Sequence, residues 1–160
     1  MSVNGNRPHV FVLPENDANR QLANGFHLEL DLIRQMQVLK PAGGWIEVLR
    51  RFRSDEVVGM ERNNKRFMIL LIDFDGRLER FAEAMAQIPK HLTDRVFILG
   101  ALSEPEALKR ADLGSYETIG LAMAKDCREE TEGIWGHNLL QHNASELARL
   151  REHVRPILFS

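Results

Sequence analysis

Hydrophobic and polar positions follow two rhythms along this chain. Short runs dominated by apolar residues stand at residues 9–13 (HVFVL), 36–39 (MQVL), 68–72 (MILLI) and 95–100 (RVFILG). The unbroken run at 68–72 is too short for an ordinary helix and predicts a strand buried on both faces, as does 95–100, while 9–13 and 36–39 read as further short strands. Between them the spacing changes to three and four. Residues 18–30 predict a first helix, and Trp45, Val48, Leu49 and Phe52 fall on one face of a second. Leu78, Phe81, Ala82 and Met85 do the same over 78–87, as do Ile119, Ala122, Met123 and Cys127 over 116–130. Asn143 is placed to cap a last helix over 144–153, and the tail RPILFS adds a strand or pins the end of the chain. Strands alternating with helices predict an α/β fold: a single doubly wound domain over 1–160, with a mostly parallel sheet of four to five strands. Its core spans 9–110, and 111–160 complete it with helices.

Each predicted strand ends in residues that carry chemistry. The run at 68–72 stops at Asp73-Phe74-Asp75-Gly76, and two acids spaced by two share a face wherever the backbone is extended. In open α/β sheets ligands bind outside the carboxyl ends of the strands. Like charges held this close are relieved by a divalent cation or a shared proton. Glu15 follows the first strand, where Asn16 or Asp17 reads as a helix cap, and neighbouring parallel strands lie about 5 Å apart, near enough for a common ion. Asn19, Arg20 and Asn24 lie on the helix that follows, facing either a phosphate or solvent. Gly43 and Gly44 follow the second strand and permit close backbone approach to a ligand. Glu104 and Glu106 follow the fourth, where Ser103-Glu104-Pro105-Glu106 also reads as a helix start. Lys109 stands one turn further on.

Composition narrows the partners. The chain is 44% hydrophobic and 28% charged with a formal charge of −2, which argues against nucleic-acid binding through bulk positive charge. Residues 50–66 hold a local basic surplus, with Arg50, Arg51, Arg53, Arg62, Lys65 and Arg66 against Asp55, Glu56 and Glu61. Cys127 is the single cysteine, so the chain builds no internal disulfide or zinc cluster, and Cys127 reads as a core residue. Residues 1–9 lack the apolar segment of a signal peptide, and no run approaches the length of a membrane span. A cytoplasmic, non-membrane protein is expected.

The order strand, Glu15; strand, Gly43-Gly44; strand, Asp73-x-Asp75; strand, Glu104 and Glu106 resembles the TOPRIM fold of topoisomerases, primases and the overcoming-lysogenization-defect nucleases. The likeness covers roughly residues 9–110. Pro14 and Asn16 flank Glu15, where the family glutamate is usually followed by glycine. The resemblance implies a metal-dependent nuclease or other phosphodiester-processing enzyme acting on nucleic acid with Mg²⁺ or Mn²⁺. It implies Glu15, Asp73 and Asp75 as catalytic and metal-binding residues, with Glu104 as a further ligand. Arg77, Lys109, Gly43 and Gly44 are then the candidates for holding phosphate. Residues 1–160 are expected to form one domain without a separate DNA-binding or ATPase unit, so a partner protein is a candidate source of substrate affinity.

Two other readings stand beside it. The string LIDFDGR also resembles the first motif of haloacid-dehalogenase phosphatases, with Asp73 as nucleophile and Asp75 as general acid, although Arg77 replaces the usual threonine. The third reading is a catalytically silent interaction module that keeps the fold.

Overall fold

The computed structural model describes residues 3–160. Four strands, β1 (His9–Pro14), β2 (Met36–Val38), β3 (Arg66–Leu71) and β4 (Val96–Leu99), form one parallel sheet in the order β2-β1-β3-β4. Val10 pairs with Met36 and Phe67, and Met68 with Val96. Successive side chains on β3 point to opposite faces, and both faces are covered. On one, Val10, Val12, Ile69, Phe97 and Leu99 pack under α1 (Asp17–Leu28), α6 (Tyr116–Glu129) and α7 (Ala144–His153). On the other, Leu13, Met68, Leu70, Ile72 and Ile98 meet α2 (Trp45–Arg51), α3 (Val57–Arg62) and α4 (Glu79–Met85). This is the expected doubly wound α/β arrangement. The chain leaves β1 for β2 on one side and returns to β3 on the other, so the topological switch point lies between β1 and β3.

Several local expectations change. The charge-rich stretch after Phe52 is helical to Arg62, with α2 and α3 joined through a π turn at Phe52–Glu56. Arg62, Lys65 and Arg66 therefore stand where β3 begins, the opposite end of the sheet from Asp73. Leu78 does not face inward: it is 52% exposed, while Arg80 is buried in its place beside Ala84. The tail forms a short helix, α8 (Arg155–Leu158), and no fifth strand appears among the described residues. Helix α1 lies close against α6. A Cβ on Gly120 would fall 1.9 Å from the Leu22 carbonyl oxygen, and one on Gly25 would fall 2.2 Å from that of Glu117, so each helix needs a glycine where the other crosses.

Edge strand β4 is closed by side chains of α7 and the residue before it. Asn143 sits at the N-cap position without capping: its Oδ1 accepts the Gly100 N–H at 3.1 Å and its Nδ2 donates to the Gly100 carbonyl at 3.0 Å. One turn on, Glu146 Oε2 accepts the Ile98 N–H at 2.8 Å, and Arg149 donates to the Val96 and Thr93 carbonyls. Asn143, Glu146 and Arg149, spaced by three along the cap and helix, thus serve alternate residues Gly100, Ile98 and Val96 of β4 and its end. They satisfy backbone groups that would otherwise be an exposed edge.

Replacing Glu146 by leucine removes the acceptor of a buried N–H and leaves Arg149 without its carboxylate. The expected loss is about 2–3 kcal/mol, measured by urea unfolding at unchanged m-value. Glu146→Gln, which keeps an acceptor, is expected to lose less. Equal losses in both variants would mean that Glu146 does not hold the edge.

Candidate functional site

Glu15 and Asp73 leave adjacent strands on the two sides of the switch point. The Glu15 N–H extends the sheet ladder by donating to the Leu71 carbonyl at 2.9 Å, and its own carbonyl accepts the Gly43 N–H at 2.8 Å. The residue is thus clamped between the end of β3 and the glycine turn after β2. Gly43 and Gly44 have φ of 98° and 149°, and Gly44 is the N-cap of α2.

Asn16 is the N-cap of α1, as its place in the sequence suggested: its Oδ1 accepts the Asn19 N–H at 3.0 Å. Its amide also donates Nδ2 to Asp73 Oδ2 at 2.8 Å. Asn19, wholly buried, donates Nδ2 to Asp73 Oδ1 at 2.8 Å. Each oxygen of Asp73 is therefore held by a neutral amide from the first turn of α1. Among the described residues, Asn19 Oδ1 has no donor of its own although it is sealed from solvent.

The carboxyl groups of Glu15 and Asp73 meet in this enclosure; Glu15 is 7% exposed and Asp73 6%. Burial, then the hydrogen bond and negative charge of Asp73, push the Glu15 carboxyl up to about 8. The shift favours a proton between Glu15 and Asp73 over two adjacent charges.

Asp75 does not join them. Strand β3 ends at Leu71, and by Asp75 the backbone is left-handed, φ 50°, followed by Gly76 at 75°. The same-face rule for residues two apart applies only to extended backbone, so Asp75 is turned toward α4. There it accepts from Arg80 Nη1 at 2.9 Å, while the same nitrogen donates to the Asp73 carbonyl at 2.8 Å. The Arg80 guanidinium lies over the Trp45 ring, 4.7 Å from its centroid.

Glu104 is the N-cap residue of α5 (Pro105–Arg110) and pairs with Arg110 at 2.8 Å. Among the described residues, no three His, Cys, Asp or Glu side chains are grouped to hold a metal ion. Of the four expected metal ligands, two converge. Of the four expected phosphate contacts, Gly43 and Gly44 border the site. Arg77 is instead paired with Glu79 at 3.0 Å, and Lys109 lies over the Tyr116 ring. Arg20 is paired with Asp17. Asn19 and Arg80 are the residues that sequence patterning undervalued. The spacing of Asn19, three after a cap, was the signal for the first, whereas nothing local marks Arg80 for burial. Cys127 is a core residue, its thiol pushed up to about 11 by burial.

The raised Glu15 carboxyl has a defined effect on stability. An unfolded glutamate loses its proton near 4.5, so between pH 4.5 and 8 the folded chain holds a proton that the unfolded chain has released. Stability from this group therefore falls as pH rises through that window. Glu15→Gln removes the penalty, and its melting temperature relative to wild type is expected to rise by at least about 3 °C between pH 4 and pH 8 without divalent cation. An offset independent of pH, measured by scanning calorimetry, would show that the proton is not retained. No protein-family model, curated protein or solved structure matches the chain.

Proposed function

We propose that the chain is a divalent-cation-dependent phosphodiester-processing enzyme of TOPRIM-like type, acting on nucleic acid, with Glu15 and Asp73 as its cation ligands. The observation that supports this most directly is the meeting of two buried carboxyl groups from adjacent strands at the switch point. A shared proton is one means of relieving their repulsion, and a cation is the other.

The donor set suits Mg²⁺ or Mn²⁺. Every group facing the pair through a hydrogen bond is an oxygen or an amide, and the orphaned Asn19 Oδ1 leaves a buried oxygen in the same cluster. Mg²⁺ is commonly held by one or two carboxylates, with waters and substrate phosphate completing its shell, so two protein ligands suffice. A bound cation supplies a Lewis acid for a phosphoryl oxygen. With a cation bound, Glu15 would give up its proton and serve with Asp73 as a ligand. Asn16 and Asn19 fix the plane of Asp73 so that its oxygens do not rotate away. Asp75, held by Arg80, serves as the counter-charge of that arginine and lies outside the ligand set.

The substrate assignment rests on the TOPRIM resemblance. Arg62, Lys65 and Arg66 stand at the far end of the sheet, and Arg66 is occupied by His9 and the Phe11 ring. A partner protein is therefore the proposed source of nucleic-acid affinity. The phosphatase reading has less support, because it needs Asp73 and Asp75 to face one ligand.

The test pairs Mn²⁺ calorimetry with cleavage of single- and double-stranded DNA and RNA. Wild type is expected to bind Mn²⁺ and to cleave at least one of these substrates. Glu15→Ala and Asp73→Ala are expected to lose at least about 100-fold in cleavage, whereas Asp75→Asn keeps cation affinity within about tenfold. Equal activity in wild type and both alanine variants would reject the assignment. Loss of Mn²⁺ binding in Asp75→Asn alone would move the ligand set to Asp75.

A further inference from the structure

The two edges of the sheet are finished differently. Asn143 and side chains of α7 close β4, whereas β2 pairs with β1 alone. The Leu39 N–H donates to the Val12 carbonyl at 2.8 Å, so Gln37 and Leu39 turn their backbone groups toward β1. In a parallel ladder alternate residues face opposite sides, and Met36 and Val38 therefore aim N–H and C=O out of the sheet. The nearest side-chain bonds of this segment run from Gln35 to the Pro8 carbonyl and from Arg51 to the Pro41 carbonyl, and neither reaches Met36 or Val38.

A cleft of about 230 Å³ lies against this edge, between β2 and α1, lined by Asn24, His27, Met36, Gln37 and Val38. The half-buried Asn24 stands in its wall, with no hydrogen-bond partner for its amide among the described residues. His27 donates Nε2–H to the Ile33 carbonyl at 2.8 Å, which brings Ile33, 43% exposed, beside the cleft. Unpaired strand backbone with space next to it is a template for a further strand.

Charge selects the occupant. The exposed Arg34 and Lys40 bracket the strand, and Arg51 joins them at the Lys40 end by donating to the Pro41 carbonyl at 3.3 Å. The acids of the same segment are engaged elsewhere: Glu29 pairs with Arg128 at 2.7 Å, and Asp31 accepts the Ser160 N–H at 3.0 Å. A second copy pairing antiparallel through Met36 and Val38 would set Arg34 opposite Lys40 at both ends, and like charges so placed are unfavourable. A phosphodiester backbone offers acceptors alone and leaves the outward carbonyls unmatched. An extended peptide matches both kinds of group.

We infer that the β2 edge is a docking site for an extended, acidic peptide segment of a partner protein. The segment adds a fifth strand beside Met36 and Val38, seats a side chain in the cleft next to Asn24, and sets its acids against Arg34 and Lys40. Docking there uses neither Glu15 nor Asp73, so it stands independently of the cation site.

The experiment titrates the ¹⁵N-labelled full chain with a capped heptapeptide that has valine, threonine and valine at its centre and two glutamates at each end. The comparison peptide carries lysines in place of the glutamates. The acidic peptide is expected to shift the Met36 and Val38 amide resonances saturably and to slow their hydrogen exchange at least about tenfold. The basic peptide is expected to bind at least about tenfold more weakly. Val38→Pro removes an outward donor at a position where edge strands tolerate proline, and is expected to weaken binding of the acidic peptide at least about tenfold. Arg34→Glu combined with Lys40→Glu, which leaves the backbone unaltered, is expected to reverse the preference between the two peptides. Unmoved Met36 and Val38 resonances, or equal binding of both peptides by wild type, would overturn the inference. So would shifts of the same amides on dilution of the chain alone, which would assign the edge to a second copy, or with single-stranded DNA or RNA in place of the peptide.

Discussion

Two carboxyl groups enclosed together repel each other, and the rim of this sheet is built around that repulsion. Glu15 and Asp73 are brought together because β1 and β3 are neighbours and parallel, so both chains end at the same edge. The Glu15 backbone is fixed by the ladder to Leu71 and by Gly43, and the Asp73 side chain by an amide on each oxygen. With solvent largely excluded, burial and the Asp73 charge push the Glu15 carboxyl up, so that without a cation the pair favours the form with one proton.

The rest of the fold keeps that geometry in place. Helix α1 supplies both amides from its first turn, and its own position is set by the glycine-to-backbone crossing with α6. Helix α7 closes the far edge, so the β3–β4 half of the sheet stays paired up to Gly100. Beyond that point the ladder continues irregularly: the Phe74 N–H meets the Ala101 carbonyl and the Asp75 N–H meets that of Ser103. These bonds draw the chain into the Asp75–Gly76 turn. The left-handed backbone of Asp75 is thus held by the segment that follows β4, and it directs the second acid to Arg80.

The parts legible in the sequence were those that depend on period and on strand ends. Uninterrupted apolar runs gave away β1, β3 and β4, since strands covered on both faces have no polar side to interrupt them. Glu15 and Asp73 were legible for the same reason, standing at the first polar positions after buried strands. Asp75 was placed with them by carrying strand geometry past the last residue of the strand. Leu78 and Arg80 exchanged roles because helix periodicity ranks residues by polarity, whereas Arg80 is drawn inward by acceptors on Asp73 and Asp75. Asn19 was visible as a polar residue near a helix start, but its partner lies 54 positions away, beyond any local pattern. The cover over β4 was hidden likewise, since Glu146 reads as an ordinary surface acid until the unpaired Ile98 N–H is beside it.

Glu15 and Asp73, without Asp75 or Glu104, are the proposed cation site. Its most direct measurement is the anomalous scattering of a crystal soaked in Mn²⁺. The expected result is a single peak bonded to both Glu15 and Asp73, with Asp75 still on Arg80. A peak on Asp75 or Glu104 instead, or an empty space between the first two residues at saturating Mn²⁺, would contradict it.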